Sequence, residues 1–261
     1  MSQFEGKILM KAVAVKCEPN REQFDLIYDQ YVLGSPFLEF PDYYLIARER
    51  YWQSLKWLCK IGLYKNEHII EFGGGQLAVI IAKMFDMSCT VADINSDYRQ
   101  PIDDAGLNFV IGDLTKDPPI KEKYFKYDVV IILEVIEHIP EPAYVVFKRI
   151  KSVLKDNGKI YLTTPNLFRI RNICRMILGK DYLDRFMLPL KNVGLGHQLE
   201  YSANHLEWQF NNAGFEVTYI TEDMLGTTGH SVKARFFRAI LSPLYLRKRW
   251  KEELVAMAQM I

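Results

Sequence analysis

The sequence predicts an α/β protein built on one doubly wound, mostly parallel sheet, and three observations lead there. Short apolar runs alternate with helical spacings between residues 68 and 220, the order expected when helices cover both faces of a parallel sheet. The run Tyr127-Asp128-Val129-Val130-Ile131-Ile132-Leu133 is almost continuously apolar, as a central strand buried on both sides should be. Finally, Ile69-Ile70-Glu71-Phe72 stops at Gly73, Gly74 and Gly75 before the apolar-periodic Leu77, Val79, Ile80 and Ile81, which reads as strand, tight turn and helix. Glycines there permit positive φ and close approach of a ligand to the backbone, and the helix start directs free N–H groups into the turn. Taken alone, the Gly73-x-Gly75-x-x-Ala78 spacing also fits a dinucleotide turn with Asp93 as its ribose acid, or glycines that serve only close packing.

The elements follow in order. Phe24, Ile27, Tyr28 and Tyr31 predict a helix over 21–31, ended by Gly34-Ser35-Pro36. A second helix over 41–61 carries a broad aromatic and aliphatic face that includes Tyr44, Ala47, Tyr51, Leu55 and Leu58. With no linker before the first strand, residues 1–66 read as a helical cap on the same domain. Strands follow at 88–93 and 107–111, each leading to an acid, Asp93 and Asp113. After the central strand, Glu134, Glu137 and His138 stand at its carboxyl end. Pro140 and Pro142 open a helix over 143–154 with Asn157-Gly158 as its stop, and a fifth strand runs over 159–164. A helix over 167–178, an insertion over 179–201, a helix begun by Ser202 and a strand over 215–220 complete a core of 67–222. Residues 223–261 are expected to form a helical, basic amphipathic tail.

The chain has 261 residues, 49% hydrophobic and 25% charged, with a net charge of +1. It can bury a large core, and no global basic field speaks for a long nucleic-acid track. Cys17, Cys59, Cys89 and Cys174 show no paired spacing for a zinc knuckle or disulfide framework. No signal peptide or membrane span is evident, so the expected location is the cytoplasm. The stretch 232–251 mixes Lys and Arg with Phe, Leu and Trp and contains no acid. It suits either a packed helix with a solvated face or peripheral contact with an anionic membrane at its inner face.

Six segments, IIEFGGG, TVADIN, FVIGDL, YDVVIILEVIEHIPEP, VLKDNGKIYLTTPN and GHQLEYSANHLEWQFNNAGFEV, occur in this order across 67–220. On them the chain resembles class I S-adenosylmethionine-dependent methyltransferases, in particular the bacterial group of small-molecule, glycan and ubiquinone-biosynthesis O-methyltransferases. The resemblance implies a Rossmann-like sheet and S-adenosylmethionine as methyl donor. It implies a cofactor site of Glu71, Phe72, Gly73, Gly74 and Gly75 around the methionine part, Asp93 and Ile94 at the ribose, Asp113 and Leu114 at the adenine, and Leu133 and Glu134 along the wall. Leu77 stands where many members have a further glycine, and the tail replaces their final antiparallel strand.

A hydroxyl acceptor must lose a proton, and an imidazole is suited to take it near neutral pH. His138 is the expected catalytic base, against the alternative that it only bonds backbone before Pro140. By similarity His197 and Tyr201 face the acceptor, and Arg169, Arg171 and Arg175 either meet an anionic acceptor or lie solvated or paired on the surface. A divalent metal is not favoured. Its alternative site would use Glu134, Glu137, His138 and His197 or His205, because the E-V-x-E-H string is similar to the metal station of small-RNA 3′-end methyltransferases. The expected function is methylation of oxygen on a small-molecule, glycan or lipid-linked acceptor. Alternatives are a metal-dependent RNA methyltransferase and a non-catalytic scaffold.

Overall fold

The computed structural model of the protein describes residues 15–37, 41–121, 126–183, 196–226 and 239–261. Most of the expected insertion, and 232–238 of the basic stretch, lie outside them. Seven strands form one sheet in the order β3-β2-β1-β4-β5-β7-β6: β1 Ile69–Phe72, β2 Cys89–Asp93, β3 Asn108–Ile111, β4 Tyr127–Leu133, β5 Leu154–Pro165, β6 Phe215–Asp223 and β7 Glu253–Met260. The first five are mutually parallel, and β7 pairs antiparallel with both β5 and β6.

Strand residues alternate between two cores, as their period of two requires. Ile69, Val129, Ile131, Tyr161, Val255 and Met257 face a layer built from helices α1 (Arg21–Tyr28), α2 (Pro41–Ile61), α3 (Gln76–Phe85) and α4 (Arg99–Asp104). Ile70, Val130, Ile132, Leu162, Leu254 and Ala256 face α5 (Ala143–Ile150) and α7 (Ala203–Asn212), where Phe147 and Phe210 stack with ring centroids 4.1 Å apart. Each fully buried aliphatic or aromatic side chain contributes about 1.5–3 kcal/mol. The remaining helix, α6 (Ile170–Ile177), follows β5. Ahead of β1, Asn20 accepts from the Gln23 amide to start α1, and Phe24, Tyr28, Leu55 and Leu58 join the core of the sheet.

Two expectations change. The helix at 143 stops at Ile150, because Leu154 already pairs with Tyr127 in the sheet; Asn157, at φ 62°, turns the chain inside the fifth strand and does not stop a helix. The tail is not helical to its end. After short 3-10 turns at Ser242–Leu246 and Lys248–Trp250, the chain re-enters the sheet as β7. Glu253–Met260 is thus the antiparallel strand expected to be missing, and it is buried because neighbours flank it on both sides and helices cover both faces. Cys17, Cys59 and Cys89 are free and buried, whereas Cys174 is half-buried.

Candidate active site

Parallel pairing lines up the carboxyl ends of β3, β2, β1, β4 and β5 along one edge of the sheet. The Gly73 amide donates to the Ala92 carbonyl at 3.0 Å, the Gly112 amide to the Asp93 carbonyl at 3.0 Å and the Glu134 amide to the Thr163 carbonyl at 3.0 Å. These bonds set Gly73, Asp93, Asp113 and Glu134 side by side at the place where open α/β sheets bind ligands. Asp93 is half-buried and one oxygen accepts from the Asn95 amide at 2.7 Å. Asp113, also half-buried, accepts from the Thr115 amide at 2.8 Å and its hydroxyl at 2.7 Å. Ile94 is 72% exposed beside Asp93, an apolar surface at the rim, while Leu114 is buried and Leu133 half-buried.

Glu71 and Phe72 are both buried at the end of β1. Glu71 is buried, and its Oε2 accepts from the Ala78 amide at 2.5 Å, so the carboxyl caps the start of α3 from beneath the glycine turn. Burial pushes its pKa up to about 7, against the opposing bonds from the Ala78 and Leu77 amides. Phe72 packs in the core with Ala92, Val110 and Leu114. Gly73 and Gly75 take φ of 123° and 84°. At Gly75 a Cβ would lie 2.6 Å from both Val91 methyl carbons, so this glycine lets α3 close onto β2.

The cap reaches the same turn. Tyr51 donates to Gln76 Oε1 at 3.1 Å and Gln76 Nε2 donates to the Tyr44 hydroxyl at 3.2 Å, which ties α2 to the first residue of α3. Beside them lies Arg50, a residue that the sequence reading passed over. Its guanidinium lies over the rings of Tyr43 and Tyr51 and bonds the Tyr43 hydroxyl. Burial opposes its charge, yet Tyr43, Tyr51 and Glu134 hold its pKa above the ordinary arginine range. The signal that could have revealed it is a cation set among the aromatic residues Tyr43, Tyr44 and Tyr51 of α2. Glu134 has φ +52°, a left-handed conformation costing about 1–2 kcal/mol outside glycine and of a kind that gathers at functional sites. Its Oε1 accepts from Thr163 at 2.9 Å. Burial, and then the Glu134 charge, raise Glu137 and Glu253 well above the usual carboxylate range, while Arg50 pulls both back.

Beyond β4, the turn Ile136–His138 presents a second group. Glu137 is fully buried, with Oε2 accepting from Thr164 at 3.1 Å and Oε1 without a hydrogen-bond partner. His138 Nε2 lies 3.9 Å from that Oε1. The His138 and His197 rings meet edge to face at 4.9 Å. The Gln198 amide donates to the Glu137 carbonyl at 2.6 Å and holds the His197 segment against the turn. Among the described residues, one candidate metal-binding group emerges, Glu137, His138 and His197, with ligand atoms within 4.8 Å of one another. Glu134 and His205 lie outside it; His205 instead bonds Gln209 at 2.8 Å and packs on Tyr201. Tyr201 is fully buried, which pushes its hydroxyl up to about 12. Its expected place facing the acceptor is therefore corrected: the ring has no accessible surface to offer. Arg169 is buried and bonds Glu200, so it is not a solvated residue open to an anion.

A doubly wound sheet closed by an antiparallel strand, with acids on successive strand ends beside a glycine turn, defines an S-adenosylmethionine-binding methyltransferase core. A family model described as "Methyltransferase domain" matches residues 46–220, and the chain belongs to that family as a class I S-adenosylmethionine-dependent methyltransferase. It is similar to a ubiquinone biosynthesis O-methyltransferase of Marinobacter nauticus, 29% identical over 46% of this chain and 43% of that protein. A protein of the same description from Paraburkholderia phytofirmans is 27% identical over 52% of this chain and 59% of its own length. The chain spans about half the length of the curated relatives it matches. Among solved structures, a cyclopropane-fatty-acyl-phospholipid synthase-like protein from Lactobacillus casei shares the fold with a TM-score of 0.58 and 15% identity, over 93% of this chain and 100% of that one.

Proposed function

We propose that the protein methylates an oxygen of a small-molecule, glycan or lipid-linked acceptor, with His138 as general base. The observation that carries this reading is the His138 and His197 pair, edge to face at 4.9 Å, standing just past the carboxyl end of the central strand. The relatives described as O-methyltransferases of ubiquinone biosynthesis support oxygen as the target. S-adenosylmethionine supplies an electrophilic methyl group. Around it, Asp93 would accept from the ribose hydroxyls, Asp113 with Leu114 would hold the adenine, and the Gly73 to Gly75 backbone with Arg50 would hold the amino-acid end. Such charge-assisted bonds contribute about 1.5–3 kcal/mol each. His138 would take the acceptor's hydroxyl proton as the methyl group passes from sulfur to oxygen, the sulfur–carbon bond breaking to leave a neutral thioether, and the chain's remaining work is to hold the two reactants in line and exclude water.

One observation favours a second reading. Glu137 Oε1 is buried and without a partner, next to two imidazoles, a donor set of nitrogen and carboxylate oxygen that suits zinc or another transition metal. A single experiment separates the two readings: acceptors are screened with labelled methyl donor, and turnover is compared for wild type and His138→Ala, each with and without chelator. The base reading predicts a loss of about 10²–10⁴-fold in the variant, unchanged cofactor affinity and indifference of the wild type to chelation. Unchanged turnover in the variant sinks it, and a wild type silenced by chelation and restored by metal establishes the second reading.

We further propose that the segment 239–251 touches an anionic membrane surface. Ile240, Leu244 and Leu246 are exposed beside Arg247, Lys248 and Arg249, a combination that suits lipid headgroups. No helix among the described residues is long and apolar enough to cross a membrane. Co-sedimentation with phosphatidylglycerol vesicles but not with phosphatidylcholine vesicles is expected; equal recovery with both sinks the proposal.

A further inference from the structure

Behind His197 lies a buried polar cluster centred on Glu200. Glu200 is 3% exposed and sits between two segments. From α6 and the turn before it, Arg169 bonds Oε1 and Asn172 bonds Oε2. Arg169 Nε in turn donates to Asn172 Oδ1 at 3.3 Å, and Asn172 Nδ2 also reaches the Leu167 carbonyl at 3.0 Å, so the clamp is braced on itself. On the other side His197 Nδ1 lies 3.1 Å from Glu200 Oε1. A buried charge is stable only when paired and hydrogen-bonded, and His197, Arg169 and Asn172 together meet that need, holding the Glu200 carboxyl below its ordinary range against burial. The contact acts both ways: the bond that helps keep Glu200 ionised also constrains the His197 ring.

An ionised carboxylate accepts and cannot donate, so the nitrogen facing it must carry the proton. We infer that Glu200 is a positioning residue: it fixes His197 as the Nδ1–H tautomer and leaves Nε2, an acceptor, for a second donating group of the methyl acceptor beside the hydroxyl whose proton His138 takes. A pocket with an accepting nitrogen beside His138 selects groups that can donate a proton, hydroxyls above all, and penalises ethers or other aprotic analogues, which would leave that nitrogen unpaired. Outer partners that set the tautomer and aim of a functional imidazole are a recurring device, and their loss typically costs about 10–100-fold in function. The inference rests on the proposed role of the histidine pair and extends it to the residue behind it.

The test is a long-range proton–nitrogen spectrum of the full chain labelled with nitrogen-15 in histidine, with His197 assigned by comparison with His197→Gln. The wild type is expected to show His197 with its proton on Nδ1. In Glu200→Met, which keeps the length but has no accepting oxygen, the Nε2–H form should become the majority, while Glu200→Asp, which keeps the charge, should retain Nδ1–H. S-adenosylmethionine affinity of the Met variant should stay within about twofold of wild type, because the bonds of Glu200 run to Arg169, Asn172 and His197 and to none of the residues proposed to hold the cofactor. A wild type with Nε2–H or with both nitrogens protonated overturns the inference, as does a folded Met variant whose tautomer is unchanged. If the Met variant does not fold, the wild-type and Asp spectra decide between the same outcomes. Binding of S-adenosylmethionine by the wild type is read separately, so a protein that binds its cofactor yet shows Nε2–H on His197 fails this inference alone.

Discussion

Glu71 shows how a residue can be legible in position while its bonding is not. Its place at the end of β1, two residues before the first glycine, was evident from the sequence. That its carboxyl turns under the glycines to cap α3 depends on the packing of α3 against β2, which no local pattern reveals. The consequence is measurable. A carboxyl that keeps its proton to about pH 7 in the folded chain, but only to the ordinary range when unfolded, binds a proton on folding. Its contribution is fully present below the unfolded pKa and is lost as pH rises through the folded one, by on the order of 3 kcal/mol. Glu71→Gln has no such titration. Between about pH 4 and pH 8 the unfolding free energy of wild type should therefore fall relative to that of the variant by roughly that amount; parallel pH curves in urea unfolding would refute the assignment. Asp93 and Asp113 were legible because strand-end acids follow apolar runs directly. Arg50 was not, because the face of α2 that carries it reads as core, and Tyr201 was misplaced because proximity in sequence to His197 says nothing about burial.

At the scale of elements, apolar runs flanked by turn residues located β1 to β4 and β6 within a residue or two at the start, since a strand covered on both faces leaves a strong local mark. The final strand escaped notice. Glu253–Met260 alternates Leu254 and Ala256 toward one core with Val255 and Met257 toward the other, but a basic stretch precedes it and its two partners lie far back in the chain. The boundary of α5 failed for a related reason: Leu154 suits either element, and pairing with Tyr127 decides. The glycine turn allows a direct test at this scale. In Gly75→Ala the new methyl meets Val91 at a φ of 84°, combining left-handed strain with overpacking for a cost of about 2–4 kcal/mol. The melting temperature should drop by on the order of 10 °C, whereas a change within a degree would show that the turn is looser than the geometry implies.

Across the whole molecule, the cap, the glycine turn and the strand ends act as one unit. Tyr51, Gln76 and Tyr44 connect α2 to the start of α3, and Arg50 offsets the Glu134, Glu137 and Glu253 carboxyls along the same edge. Two of the three acids expected to share a basin, Asp93 and Asp113, stand on that edge, and the third supports it from below. Under the proposed function, cofactor recognition falls to the strand-end acids Asp93 and Asp113. Calorimetric titration of S-adenosylmethionine into wild type and Asp93→Ala tests this most directly. One site per chain in the wild type and a loss of roughly tenfold to a hundredfold in the variant are predicted, from about 1.5–3 kcal/mol for a charge-assisted bond. A folded wild type that gives no binding, or a variant that binds as tightly as its parent, would contradict it.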